Sequence, residues 1–591
     1  MRKIWIYLIV LILELTACAT NIRDIQGQLE IHDIQGCSHT SPYLGQRVAD
    51  VVGVVTHKTS NGFTMQSLTS DDQLCSSEAI FVFTKEYPQV LLADLVQVDG
   101  VVEEFTDGSP QDHNLSQTEI NNARFQILYS DYQLPNPIVI DDLLGLMPTA
   151  IIDNDDMKLF DPKQDGIDFY ESLESMLVEI RSGQVVAHRN IFDEISVLPS
   201  VFIAENLLSI QGALVNTQND ANPEKLMIKL PSNSDGEVNV GDWFEESIIG
   251  IMDYSYGNFK LLAFTQIDFA RKETTVEPYI PTSGSLTLAT YNVENLSPMD
   301  GNKKYSQIAG HIVDHLHSPD VLVLNEISDN SGSIDDGVVK ADKTIMKLLE
   351  AIHKAGGPEY SYSDTPPDNN QDGGLEGGNI RTVLLFRNDK GITLDQSRSL
   401  SNKVTANNGT LLLNDNPFLI GNQSTAFYGT RKPRVWLLSQ NNKQFIVVGV
   451  HLSSQGANTP DWGNLQPPQK PEETKRINQA QLIFDQLREI YMKNPQLPIF
   501  IMGDMNDQPW STTISVLSQD IFFNTAEIEK HEERYSYIFE GNAQELDYIL
   551  INKNLADDVI QARFIHVNSF KDLAESISDH DPVIIDFDMS H

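Results

Sequence analysis

Basic residues are few in this chain. Lysine and arginine number 41 against 83 aspartates and glutamates, a formal net charge of −42. The deficit favours solubility and excludes broad, sequence-independent adhesion to polyanions, so a polyanionic substrate would have to be caught by a local basic patch and by bound cations. It is uneven: residues 285–591 hold 25 basic against 41 acidic residues, and the preceding 284 hold 16 against 42. Long hydrophobic runs are missing as well. The unbroken apolar run Ile4–Leu13 has ten residues, too few for the ~20 of a membrane-spanning helix. No other stretch approaches that length. Cysteine is limited to Cys18, Cys37 and Cys75, which leaves room for one intramolecular disulfide. Apolar content is not short. With 40% hydrophobic and 8% aromatic residues the composition is that of a globular protein and argues against disorder. A length of 591 residues accommodates about three or four domains of ~150 residues.

The first residues read as an export signal: Arg2 and Lys3 form a positive start, followed by the short apolar run. The run ends in Leu15-Thr16-Ala17-Cys18, which resembles the bacterial lipobox. The resemblance implies a signal over residues 1–18, lipidation of Cys18, and an envelope protein that touches membrane only through that anchor; a plain cleaved secretory signal is the alternative. With Cys18 acylated, Cys37 and Cys75 remain as an even pair in an oxidising compartment, either as a disulfide or as two buried thiols.

Residues 21–140 show short β-rich runs, Val48–Val55, Phe63–Gln66, Ala79–Thr84 and Leu95–Val102, punctuated by Asn61-Gly62, Asp99-Gly100 and Asp107-Gly108. This is the pattern of a small antiparallel barrel. The string IQGCSHTSPYLGQRVADVVGVVT resembles the start of the OB-fold-like domain found ahead of secreted bacterial nucleases. Residues 141–280 form a second β-rich block, with strands expected at Leu177–Ile180, Leu226–Leu230, Glu245–Met252 and Phe259–Phe264. The block resembles the companion module of the same nucleases and is expected to be OB-like too. Between the blocks, Asp153-Asn154-Asp155-Asp156 and Asp161-Pro162 read as a linker or loop. OB folds bind single strands through aromatic platforms in a basic groove. Trp243, Tyr254, Tyr256 and Phe259 supply aromatics, but the acidity of this half favours a spacer or docking role.

A Pro/Ser/Gly linker near 273–285 precedes a change of character. Leu286–Tyr291 is a strand. Tyr305, Ile308, Ala309, Ile312 and Leu316 recur at helical spacing, and Asp320–Ile327 begins another buried strand. Strand, helix and strand at this spacing indicate an α/β layer structure. Residues 356–379 are rich in Gly, Pro, Asp and Asn and read as a long surface loop. Within it, Asp368, Asn370, Asp372 and Gly373 match the first half of an EF-hand loop, although Asn379 stands where the closing Glu belongs. The segment is either a secondary Ca²⁺ site or a simple hydrophilic loop.

Cleaving a phosphodiester at neutral pH needs a cation on the non-bridging oxygens, an activated water, and relief of charge on the leaving alkoxide. Residues fit for these tasks stand at the ends of apolar strands: Asn292 and Glu294 in LATYNVENL, Glu326 in VLVLNEI, His451 in VVGVHLSSQG, Asp504 and Asn506 in PIFIMGDMND, Asp547 in ELDYILIN, and Asp579 with His580 in ISDHDPVII. Each alone has a structural explanation; six apolar strands ending this way in this order do not share one. The set resembles the endonuclease/exonuclease/phosphatase superfamily over essentially all of 285–591. The resemblance implies a four-layered α/β/β/α sandwich behind the β-rich modules, with the site at one end of the sheets. It implies that Asn292, Glu326 and Asp579 hold Mg²⁺ or Mn²⁺, and that Asp504 and Asn506 orient or deprotonate the water. By the same resemblance Asp547 orients the catalytic His580, and His451 donates a proton or binds phosphate. Two departures stand out: Asn325 replaces the usual Gln before the metal Glu, and Ser453 and Ser454 follow His451 where a Lys is common.

GGNIRTVLLFR (377–387) resembles a segment typical of the secreted nuclease branch, and TRKPR (430–434) resembles the Arg-bearing strand start that contacts phosphate in pancreatic-type enzymes. They bring Arg381 and Arg431 forward as phosphate ligands, with Lys432 and Arg434 beside the latter. The expectation is a monomeric, extracytoplasmic nuclease acting on DNA or RNA. A phosphatase or sphingomyelinase-type phospholipase of the same superfamily is the runner-up, and an inactive surface adhesin on this fold is the reading from another class.

Overall fold

The computed structural model describes residues 29–590 except 206, 233, 235, 396–404, 408–409 and 414. The expected export signal and Cys18 lie outside the described residues. Among the described residues no helix is long and apolar enough to cross a membrane.

The first β-rich block is a five-stranded closed barrel of β1 (Arg47–Lys58), β2 (Gly62–Gln66), β3 (Ala79–Phe83), β4 (Leu95–Phe105) and β5 (Gln117–Tyr129), in the order β1-β2-β3-β5-β4. Its strands pair antiparallel except β3 with β5, the parallel pair that a purely antiparallel reading misses. Alternating apolar residues, among them Val51, Phe63, Met65, Ile80, Val82, Val98 and Ile120, fill the interior. Cys37 and Cys75 form a disulfide across 38 residues of chain, which sets aside the two-thiol alternative.

The second block is not a second barrel. Its eight strands form an open sheet that begins at Trp243–Phe244 and ends at Ile138–Val139, both two residues long. The reason lies in what covers the sheet. Ile167, Phe169 and Tyr170 of the helix Gly166–Glu171, Phe202, and Trp462 from the C-terminal half all join its core. With a core supplied from outside, the sheet has no need to close on itself.

Residues 286–587 build two facing sheets. One runs Ser361–Ser363, Arg381–Phe386, Val321–Ile327, Leu286–Leu296, Val583–Phe587, Val559–Phe564. The other runs Ile392–Leu394, Arg434–Gln440, Lys443–His451, Ile499–Asp504, Asp547–Asn552, Phe522–Asn524. Side chains of a strand alternate between faces, and the strands here are apolar on both. Leu286, Leu288, Val321, Val323, Leu384, Trp436, Val447, Phe500, Met502, Ile549 and Ile585 meet between the sheets. Ala289, Tyr291, Leu322, Leu324 and Val383 point the other way, against Tyr305, Ile308, Ile345 and Leu348 of the helices Asn302–Gly310 and Asp342–Lys354. On the far side Val435, Ile446, Val448, Ile501 and Leu550 pack on Ala480, Ile483, Phe484 and Leu487 of the helix Pro471–Tyr491. This is the four-layered α/β/β/α sandwich. The loop expected over 356–379 includes a short edge strand, Ser361–Ser363, that pairs with Leu384–Phe386.

The modules are tied together by hydrogen bonds. The barrel's Gln66 accepts from the Leu177 amide (2.9 Å). The sheet's Tyr254 hydroxyl donates to the Trp462 carbonyl (2.9 Å), its Asn222 donates to Asn542 (2.8 Å), and the Val238 amide donates to Asp572 (3.0 Å).

Candidate active site

The faces that carry the inter-sheet core end in polar residues. Continuing the inward-facing sets 286/288/290, 321/323, 445/447/449 and 500/502 by two residues reaches Asn292, Asn325, His451 and Asp504 in turn, and Asp547 begins the inward set 547/549/551. The site is therefore the polar end of the layer between the sheets. Register carries this through: His451 pairs with Asp504, and Asp504 with Asp547.

Glu326 breaks the pattern. Strict alternation would send its side chain outward with Leu322 and Leu324, but the register shifts between Leu324 and Ile327 and again between Asn292 and Leu296. Glu326 takes a left-handed backbone (φ 64°), as do Glu294 (49°), Asn295 (51°) and Asn506 (52°). A bulge re-aims a side chain at the cost of local strain, and such strain gathers at functional sites. The Glu326 carboxylate is turned inward, where it accepts from the Asn292 side chain (3.1 Å) and the Asn295 amide (3.0 Å). Asn292 also donates to Asp504 (3.2 Å). Gly503 makes the next turn; a Cβ there would lie 2.0 Å from the Val450 carbonyl oxygen, and its φ is +138°.

The histidines complete the cluster. His580 Nδ1 lies 2.6 Å from Asp547 Oδ2, and its Nε2 lies 3.8 Å from Asp504. Burial opposes its charge, but Asp547, Asp579 and Asp504 together hold its pKa well above the ordinary value. His451 Nε2 lies 3.5 Å from Asp504 and 3.8 Å from Glu326. Burial, Arg431 and His580 push its pKa far down, so it is neutral. The two histidines thus differ in charge. Burial raises the Asp504 carboxyl, with His580 opposing.

Residues 289–580 match the Endonuclease/Exonuclease/phosphatase family. The C-terminal half belongs to that family of phosphoesterase hydrolases. Residues 131–273, the open sheet, match a domain of unknown function, DUF8508. No curated protein matches the chain. Similar solved structures include truncated TDP2 of Caenorhabditis elegans, at 16% identity over 52% of this chain and 99% of that one, TM-score 0.33. A family protein of Bacteroides thetaiotaomicron shows 15% identity over 53% and 98%, TM-score 0.33. The human Nocturnin catalytic domain with bound sulfate shows 16% over 52% and 96%, TM-score 0.35.

Within the family domain, the departures expected from sequence have structural counterparts. Asn325 is buried, donates to Thr382 (3.0 Å) and to the Val450 carbonyl (2.8 Å), and so links the two sheets. Ser453 is held by Gln479 of the helix Pro471–Tyr491.

The expected phosphate ligands divide. Arg431 approaches the cluster and feels the charges of Glu326 and Asp504. One of its nitrogens donates to the Leu452 carbonyl (2.7 Å), and its Nε has no partner. Arg381 does not reach the site. It is 0% exposed, its guanidinium bonded to the Asn379 and Val339 carbonyls and paired with Asp364 at 3.4 Å. Arg434 is likewise buried on backbone carbonyls, and Lys432 pairs with Asp372. Of these four basic residues only Arg431 is therefore brought to the cluster. That pairing of Asp372 also works against the expected Ca²⁺ loop, where Asn370 accepts from the Gly377 amide (3.1 Å).

The oxygens suit a hard cation. Glu326 and Asp504 face Asn292, Asp579 stands exposed at the rim, and Glu294 joins them. Burial first, then Asp579, push the Glu294 carboxyl up to about 7. Carboxylates crowded in this way, with one carboxamide among them, fit Mg²⁺, which keeps several waters and needs only one or two protein carboxylates. Glu294 received no role from sequence, although it stands two residues from Asn292.

Other residues were missed. Arg476, fully buried, pairs with Asp507 (2.9 Å) and donates to the Ser453 carbonyl (3.3 Å), bracing the turn after Asp504. Asp581 accepts from the Val567 and Asn568 amides (2.9 and 2.7 Å) and contacts His566 (3.1 Å), anchoring the loop that carries His580. Adjacency to Asn506 and His580 was the only sequence signal for Asp507 and Asp581.

Proposed function

We propose that this protein is a metal-dependent nuclease of the cell envelope, hydrolysing DNA or RNA phosphodiesters as a monomer. The observation that carries the chemistry is the His580–Asp547 pair facing Asp504 beside Asn292 and Glu326. Asp504 and Asn506 orient the attacking water, and Asp504 accepts its proton. Asp547 fixes the His580 tautomer and keeps the ring protonated, so His580 can pass a proton to the leaving alkoxide. Neutral His451 and Arg431 hold the phosphoryl oxygens. Glu326, Asp579 and Asn292, with Glu294 at the rim, would hold Mg²⁺ or Mn²⁺, which would neutralise the non-bridging oxygens.

The Cys37–Cys75 disulfide supports an oxidising compartment. Together with the lipobox-like Cys18 it supports anchoring or secretion. A second reading, a small phosphate-bearing headgroup as substrate, gains from the structure, because Arg431 alone of the four expected basic residues faces the site. Initial rates on plasmid DNA, RNA, sphingomyelin and an inositol polyphosphate, with and without EDTA, decide between them. Preference for a headgroup would overturn the nuclease reading, and activity undiminished in EDTA would overturn the metal mechanism.

A further inference from the structure

The loop between Ile138–Val139 and Leu177–Ile180 of the open sheet reads from sequence as a linker or loop. It is instead a closed, ordered excursion, its neck fastened by the Gly166 and Ile167 amides donating to the Ile151 and Ile152 carbonyls (both 3.0 Å). Two groups of carboxylates gather in it: Asp153 with Asp155 and Asp165, and Asp161 with Asp165 and Asp168. Within each group the ligand atoms lie within 4.8 Å of one another, the span of two oxygens on opposite sides of a calcium ion at ~2.4 Å.

Acidic loops are common, and the cluster alone argues nothing. Asp165 is different. It is 1% exposed, one oxygen accepts from Asn154 (2.6 Å), and the other is buried without any hydrogen-bond partner. Asp161 likewise holds a buried oxygen without a partner. The two buried oxygens belong to one ligand group, and only a proton shared between the carboxyls, held up to about pH 7 by burial and by Asp161, would otherwise satisfy them. A buried polar atom left this way is costly. A cation would satisfy both at once.

We propose that the loop Asp153–Asp168 binds calcium through Asp161 and Asp165, completed by Asp168. Oxygen-only, carboxylate-rich ligands suit calcium. The site also has a mechanical meaning. Asp165 precedes the helix Gly166–Glu171, whose Asp168 contacts His39 beside the barrel (2.6 Å) and whose Tyr170 meets Trp462 of the catalytic half edge-on (5.5 Å between centroids). Calcium would fasten the helix on which all three modules meet.

The test uses the full chain with magnesium in excess throughout, so that the catalytic site does not report. After chelator treatment, calcium should raise the melting temperature by roughly 5 °C. It should also slow tryptic cleavage after the exposed Lys158 and Lys163 by at least ~10-fold. Asp165→Asn should lose both responses while melting, in chelator, no lower than the wild type, since it removes one of the crowded charges. A wild type indifferent to calcium would overturn the proposal; Asp161 and Asp165 would then share a proton. So would full calcium responses in Asp165→Asn. Should that variant not fold, Asp161→Asn decides: a weakened calcium response supports the site and an unchanged one overturns it.

Discussion

His580 and Arg431 are the residues at which burial and charge part company with simple exposure. His580 is buried yet keeps its proton, because Asp547 sits 2.6 Å from Nδ1 with two more carboxylates near. Removal of the ring by His580→Ala should lower kcat by at least ~10²-fold without lowering the melting temperature by more than a few degrees. Steady-state kinetics beside thermal melts check this, and near-full turnover would remove His580 from the mechanism. Arg431 and Arg381 make a paired contrast. Arg431→Ala should weaken substrate binding and flatten the dependence of log K on log salt by about 0.9, the loss of one phosphate contact on duplex DNA. Arg381→Ala should leave both unchanged and instead lower stability, since the buried Asn379 carbonyl and the half-buried Val339 carbonyl lose their donor. Binding isotherms at several salt concentrations, with denaturant titrations, separate the two; equal effects on affinity would contradict the placement of Arg381.

At the scale of elements, the site depends on where strands stop alternating. The bulges at Glu326 and beyond Asn292 turn outward positions inward, and the strand Ile499–Asp504 makes its turn at Gly503. Because a Cβ at Gly503 would collide with the Val450 carbonyl at 2.0 Å, Gly503→Ala must separate the strands that hold His451 and Asp504. The variant should lose roughly 2 kcal/mol or more of stability and most of its activity. A urea midpoint equal to the wild type's would show that the pairing tolerates the methyl group.

At the scale of the whole molecule, the junction of barrel and sheet carries a buried acid. Glu174 accepts from Gln35 (2.9 Å) and from the Thr118 amide (3.1 Å), yet burial, with Glu104 and Asp253 adding to it, raises its carboxyl from 4.5 to about 8. A carboxyl whose pKa is higher folded than unfolded favours the folded state while protonated. Its contribution is complete below about pH 4.5 and is lost as pH rises through about 8. Glu174→Gln, which mimics the protonated form, should match the wild type near pH 5 and exceed it at pH 8, by on the order of 1–3 kcal/mol. Melting curves at the two pH values check the sign; a variant less stable at pH 8 would reverse it.

What the sequence determined by itself was the local and the ordered. Apolar strands and helical spacing indicated an α/β layer structure, to which the resemblance added the four-layered sandwich, turn dipeptides placed the barrel, and the succession Asn292, Glu326, His451, Asp504, Asp547, Asp579, His580 marked the candidate site, because alternation and strand ends are written in neighbouring residues. Only the tertiary structure decided the rest. It settled which of four basic residues faces the cluster, since an Arg or Lys side chain reaches either way and is directed by distant carbonyls and carboxylates. It left the second block as an open sheet, since part of its cover, Trp462, comes from some two hundred residues on. It brought Asp161 and Asp165 together in a loop that reads as a linker, since partners for a buried oxygen are a property of the fold and not of the order of residues.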